Sequence, residues 1–80
     1  MNDLLIRRML VVLTQSDNSN VKNSAISILM ARDIKKAVKN ELLVCSLFFV
    51  KVLEGNYREA KTLADSDNRE LLERFEHRIN

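Results

Sequence analysis

Residues 42–53, LLVCSLFFVKVL, are the feature that most restricts what this chain can fold into. Ten of the twelve are apolar (Leu42, Leu43, Val44, Cys45, Leu47, Phe48, Phe49, Val50, Val52 and Leu53), and only Ser46 and Lys51 are polar. Twelve residues fall well short of the ~20 that a helix needs to cross a bilayer. A helix that is apolar all round is buried on several sides. A chain of 80 residues supplies few other elements to surround it. Part of this surface is therefore expected to meet a partner.

Periodicity alone leaves strand open for such a run, because valine and phenylalanine are frequent in it. The rest of the sequence favours helix. There is no proline and one glycine, Gly55, while Leu, Ala, Glu, Lys and Arg are plentiful. These are strong helix formers, and a sandwich or barrel would need many more turn residues. The expected class is all-α: one helical domain over residues 1–80, built of small antiparallel hairpins with about five helices. Domains of this size are marginal alone and usually lean on disulfides, a metal or a partner. Cys45 is the only cysteine, which excludes an intrachain disulfide, and Cys45 and His77 lie too far apart in sequence to suggest zinc. Close helix packing or a partner remains.

The apolar spacing places the helices. The first is expected from Asp3 to about Gln15, with Leu5, Met9, Val12 and Leu13 on one stripe, Arg7 and Arg8 near the opposite side and Asn2 as cap. Residues 16–20, SDNSN, prefer local side-chain hydrogen bonds and read as a loop. Ser19 or Asn20 would cap a second helix over residues 21–38, whose stripe is Val21, Ala25, Ile28 and Leu29. A break near residues 31–33 is open, with Asp33 as the cap of a short separate turn. The third helix is expected over residues 41–54, capped by Asn40 and stopped by Gly55, which takes the left-handed conformation at no steric cost. A fourth follows over residues 57–64, with Ala60, Leu63 and Ala64 on one face. A fifth covers residues 68–79, with Leu71, Leu72, Phe75 and Ile79 on the apolar stripe and Glu70, Arg74 and Arg78 at i, i+4 spacing on the polar side.

The net charge is only +2, but it is uneven. Residues 1–40 carry seven basic and three acidic residues, a net of +4, and residues 41–80 carry a net of −2. Two solvated faces of opposite sign explain this, as does a basic half that meets an acidic partner. Residues 4–13 are apolar but interrupted by Arg7 and Arg8, with no small-residue cleavage site after them, so no signal peptide is expected. A cytoplasmic location follows as the expectation, and a lone cysteine suits a reducing compartment. No glycine-rich phosphate loop, paired metal ligands or triad spacing is present, so neither enzyme activity nor a cofactor nor a metal is expected. His77 reads as a solvated residue near a helix end, and Cys45, among apolar neighbours, as an inert thiol.

The segment LEGNYREA at residues 53–60 resembles the turn of a tetratricopeptide repeat through Gly55-x-Tyr57-x-x-Ala60. There the glycine stops one helix, the aromatic packs across the hairpin and the alanine lets the two helices touch. With its small size and the very apolar helix before the turn, the chain looks like the tetratricopeptide-like needle-subunit chaperones of bacterial type III secretion systems. The likeness is best over residues 41–72. It implies a chaperone that pairs with a small helical cochaperone and binds the C-terminal helix of the needle subunit in an apolar groove, so that the subunit does not polymerise early. Carried onto this chain, with Gly55 setting the register, it nominates Leu42, Cys45, Phe49, Val52 and Leu53 as groove residues. Val44, Leu47 and Phe48 would pack against neighbouring helices. Two other readings stay open. Arg32, Lys35, Lys36 and Lys39 could contact phosphates, as in a small helical nucleic-acid-binding regulator. The same apolar helix could also serve a general helical adaptor or a homodimer.

Overall fold

A computed structural model of the chain describes residues 3–41, 43 and 45–79, with side chains as far as Phe75. Among the described residues there are six helices and no strand: α1 (Asp3–Leu13), α2 (Ser19–Met30), α3 (Ile34–Glu41), α4 (Leu47–Leu53), α5 (Tyr57–Leu63) and α6 (Ser66–Ile79). The all-α class stands. The expectations placed on Asn2, Leu42, Val44 and the side chains of His77 and Ile79 lie outside the described residues.

Short polar side chains set most of the helix starts. Asn18 caps α2, its Oδ1 accepting from the backbone N–H of Asn20 at 3.0 Å and of Val21 at 3.3 Å. Asp33 does the same for α3 through Lys36 N–H at 3.1 Å, Asn56 for α5 through Glu59 N–H at 3.2 Å, and Asp65 for α6 through Asn68 N–H at 2.9 Å. Each such cap satisfies a donor that the first helical turn leaves without a partner. The expected caps Ser19 and Asn20 are instead the first helical residues, because Asn18 takes the role. The break at residues 31–33 is real. Ala31 is extended (φ −70°, ψ 140°), and α3 starts anew behind Asp33.

The largest correction concerns residues 41–54. They do not form one helix capped by Asn40. Asn40 lies inside α3, and the second helix of this region begins only after Ser46, whose backbone is extended. The apolar run is thus divided, and only its second half, seven residues long, is α4. Its end is as expected. Gly55 has φ 77°. Its N–H donates to the Val52 carbonyl at 3.0 Å, and the Asn56 N–H donates to the Lys51 carbonyl at 2.9 Å. That bond pair is a Schellman stop, with glycine at the left-handed position.

α1 is the hub of the molecule and packs against α2, α4 and α6. Its Met9, Leu10 and Leu13 are fully enclosed, each contributing about 1.5–3 kcal/mol of hydrophobic stabilisation before entropy is subtracted. α4 and α5 form the closest hairpin, joined where Ala60 is 0 % exposed. Tyr57 does not simply bridge that hairpin. Its hydroxyl donates to the Leu72 carbonyl at 3.2 Å, and its ring lies 5.6 Å from that of Phe75, so it ties α5 to α6. Leu71, Leu72 and Phe75 of α6 close the core on α1. Between α1 and α2, Ser16 is buried. Its Oγ donates to Asn68 Oδ1 at 2.6 Å and accepts from Asn18 N–H at 3.1 Å.

Candidate functional site

α3 is the least enclosed helix. Its sequence, IKKAVKNE, puts Ile34, Ala37 and Val38 on one side at i, i+3, i+4 spacing and Lys35, Lys36 and Lys39 on the exposed remainder. None of its residues is fully buried; the three apolar ones are half-buried against the core. Because the chain turns at residues 31–33, α3 stands beside α1 and the C-terminal end of α2 with a cleft between them.

That cleft has a volume of about 710 Å³, within the ~300–1,000 Å³ typical of ligand clefts. Its aliphatic lining is offered by half-buried Leu29 of α2 and Ile34 and Val38 of α3, with the buried side chains Ile6, Leu10 and Ile28 behind them. Its rim is charged, with Arg7, Arg32, Lys35 and Lys39 against Asp3 and Asp33. One oxygen of Asp33 is already engaged as the α3 cap. None of the four rim cations has a carboxylate within ion-pair distance among the described residues. The described ion pairs lie elsewhere, on α4 to α6: Lys51 with Glu54 (3.3 Å) and Glu59 (3.2 Å), and Arg74 with Glu70 (3.6 Å).

The residues nominated from the sequence fare differently. Phe49, Val52 and Leu53 are 1 %, 0 % and 2 % exposed and belong to the chain's own core, so they offer no surface in this conformation. The reason is the shortened α4: with seven residues and neighbours in α1 and α5, its inward side is covered from within. Leu47, expected to pack inward, is 60 % exposed, and Phe48 is buried as expected. Leu42 lies outside the described residues. Cys45 is half-buried and shares with Phe49 a second, more polar cavity of about 650 Å³, walled by Asn20, Asn23, Ser24 and Ser46. Burial pushes the Cys45 thiol up from its ordinary value, and the nearby charge of Glu41 adds to this against an opposing backbone hydrogen bond. The thiol is therefore protonated at neutral pH, which makes it a poor nucleophile.

The cleft brings together residues that sequence reasoning kept apart. Helical spacing puts Arg7 near the side of α1 opposite its stripe and leaves Ile6 off that stripe. A usable signal was present in residues 34–39: Ile34 and Val38 recur at i, i+4, each followed directly by a lysine, Lys35 and Lys39. That pattern sets an apolar edge beside a basic one on the same short helix. Among the described residues no three His, Cys, Asp or Glu side chains converge on a metal-sized site, and no helix is long and apolar enough to cross a membrane. No protein-family model matches the chain, and no curated protein or solved structure matches it either.

Proposed function

We propose that this chain is a helix-binding chaperone of a type III secretion system. With a small helical cochaperone, it holds the C-terminal helix of the needle subunit and keeps that subunit from polymerising early. The observation that carries the proposal is the aliphatic cleft between α1, α2 and α3, which the described residues leave open. An amphipathic helix laid in such a cleft buries its apolar stripe there, and a polar rim sets its register. The tetratricopeptide-like turn supports the reading independently. Gly55 stops α4 in the left-handed conformation and Ala60 sits at the helix contact, as the likeness implies. The binding surface differs from the one nominated by the repeat register: it is the α1–α3 cleft and not the inner side of α4.

Co-expression with a needle subunit and a small helical cochaperone tests the proposal. The expected result is a stable complex in which the needle subunit stays in the supernatant after sedimentation that pellets it when alone. Leu29→Glu and Ile34→Glu, at half-buried cleft positions, are expected to release the needle subunit while the chain keeps its helical circular dichroism. A needle subunit that polymerises at the same rate with and without this chain would refute the reading.

A further inference from the structure

The α1–α3 cleft carries more information than its shape. An aliphatic floor alone accepts any amphipathic helix, so selectivity must come from the rim. Four cations stand there, Arg7, Arg32, Lys35 and Lys39, against two carboxylates, one of which is occupied in capping α3. The four have no carboxylate within ion-pair distance among the described residues, whereas Lys51 on α4 and Arg74 on α6 are both paired. We infer that the cleft takes an acidic amphipathic helix, one whose apolar stripe is flanked by carboxylates that pair with this unpaired basic rim. The inference rests on the chaperone reading for the cleft being a helix site, and adds the chemistry of the occupant.

The geometry of α3 limits what that helix looks like. Eight residues at about 1.5 Å each make α3 about 12 Å long, so it lies along two to three turns of an occupant. Lys35 and Lys39 are one turn apart, about 6 Å along the axis. Two Glu or Asp residues at i, i+4 on the occupant's flank match that spacing. Ile34 and Val38, at the same spacing and only half-buried, sit beside the occupant's apolar anchors at i, i+3 or i+4, and i+7. α3 packs chiefly on α2, and the chain on either side of it is non-helical at residues 31–33 and 45–46. A nucleic acid fits less well. Its phosphates would face Asp3 and Asp33 as well as the cations, and the aliphatic floor offers them no partner.

The test uses the whole chain and two fluorescent synthetic helices of about four turns with the same leucine stripe. One carries glutamates on its flanks and the other lysines. By fluorescence anisotropy the glutamate peptide is expected to bind about tenfold more tightly at about 0.05 M salt, with the gap closing at about 0.5 M as rim charges are screened. The triple reversal Arg32→Glu, Lys35→Glu, Lys39→Glu is expected to invert the preference. If that variant fails to fold, Lys35→Gln with Lys39→Gln is expected to shrink the gap while the chain still melts cooperatively. Equal affinities, an unchanged preference in a folded variant, or no binding of either peptide would overturn the inference. So would a random DNA duplex that binds more tightly than the glutamate peptide and displaces it. The needle-subunit experiment decides the other reading separately. Selective glutamate-peptide binding with no needle subunit held leaves the inference standing and removes the secretion role. A needle subunit held equally by the parent and the reversed chain does the opposite.

Discussion

Replacing Phe49 with alanine separates a core residue from a binding residue. Phe49 is 1 % exposed and meets Phe48 edge-to-face, with ring centroids 6.0 Å apart. Truncating a buried phenylalanine removes its transfer energy and leaves a cavity, a loss of about 3–5 kcal/mol. At roughly 0.05–0.15 kcal/mol per residue, a chain of 80 residues holds about 4–12 kcal/mol in all. The substitution therefore removes about a quarter or more of the total. For a domain of this size each kcal/mol moves the midpoint by about 4–8 °C, so Tm should fall by at least about 12 °C. Leu47→Ala on the same helix, at 60 % exposure, should stay within about 0.5 kcal/mol of the parent. Thermal melts followed by far-UV circular dichroism, checked against urea unfolding, measure both. Partner binding of the Phe49 variant is then measured at a temperature where it is still folded, and should survive. A Phe49→Ala chain that melts within about 3 °C of the parent yet loses its partner would refute the reasoning and return α4 to the role of an offered surface.

Three further perturbations probe the supports of the cleft and the hairpin. In Gly55→Ala the new methyl would lie 3.7 Å from Ile6 Cγ1, an ordinary contact. The loss should therefore be about 1–2 kcal/mol, from the left-handed backbone alone, and Gly55→Asn should lose less; equal losses for the two would contradict this. Ser16→Ala leaves the buried Asn68 Oδ1 without the donor now 2.6 Å away, and should cost about 1–3 kcal/mol in urea unfolding; no measurable change would show that the bond is dispensable. Lys51 is held above its ordinary value of 10.5 by hydrogen bonds to Glu59 first and then Glu54. A raised lysine stabilises the fold fully below its unfolded value and ceases to as pH climbs through the folded one. The gap in Tm between the parent and Lys51→Met should thus be constant from neutral pH to about 9.5 and vanish above the ordinary lysine range. A gap that widens at high pH would show the sign to be wrong.

The parts of the fold that were legible in the sequence are those decided locally. Gly55 stops α4 because no other residue type enters the left-handed region so readily, and that holds whatever packs nearby. The stripe Leu71, Leu72 and Phe75 on α6, and the Glu70 and Arg74 pair on its outer side, follow from helical spacing alone. What stayed hidden depended on distant partners. Which of several adjacent polar residues caps α2 is settled by Ser16, whose side chain holds Asn18 while bound to Asn68, 52 residues away. The division of the apolar run at Ser46 was equally obscure, since ten apolar residues in twelve give no phase from which to read a break. The candidate site suffered most from this. Once the run is split, Phe49, Val52 and Leu53 fall inside, and the half-buried apolar residues Ile34 and Val38 lie on α3, a segment for which the sequence leaves open both a continuation of α2 and a separate turn behind Asp33.

On the proposed function the α1–α3 cleft, and not α4, receives a partner helix. Titration of the isotope-labelled chain with the needle subunit's C-terminal helix, followed by methyl chemical shifts, tests this most directly. Occupation of the cleft should move Ile6, Leu10, Leu29, Ile34 and Val38 and leave Val52 and Leu53 where they are. Shifts centred on Val52 and Leu53, or none at a saturating excess of the helix, would contradict it.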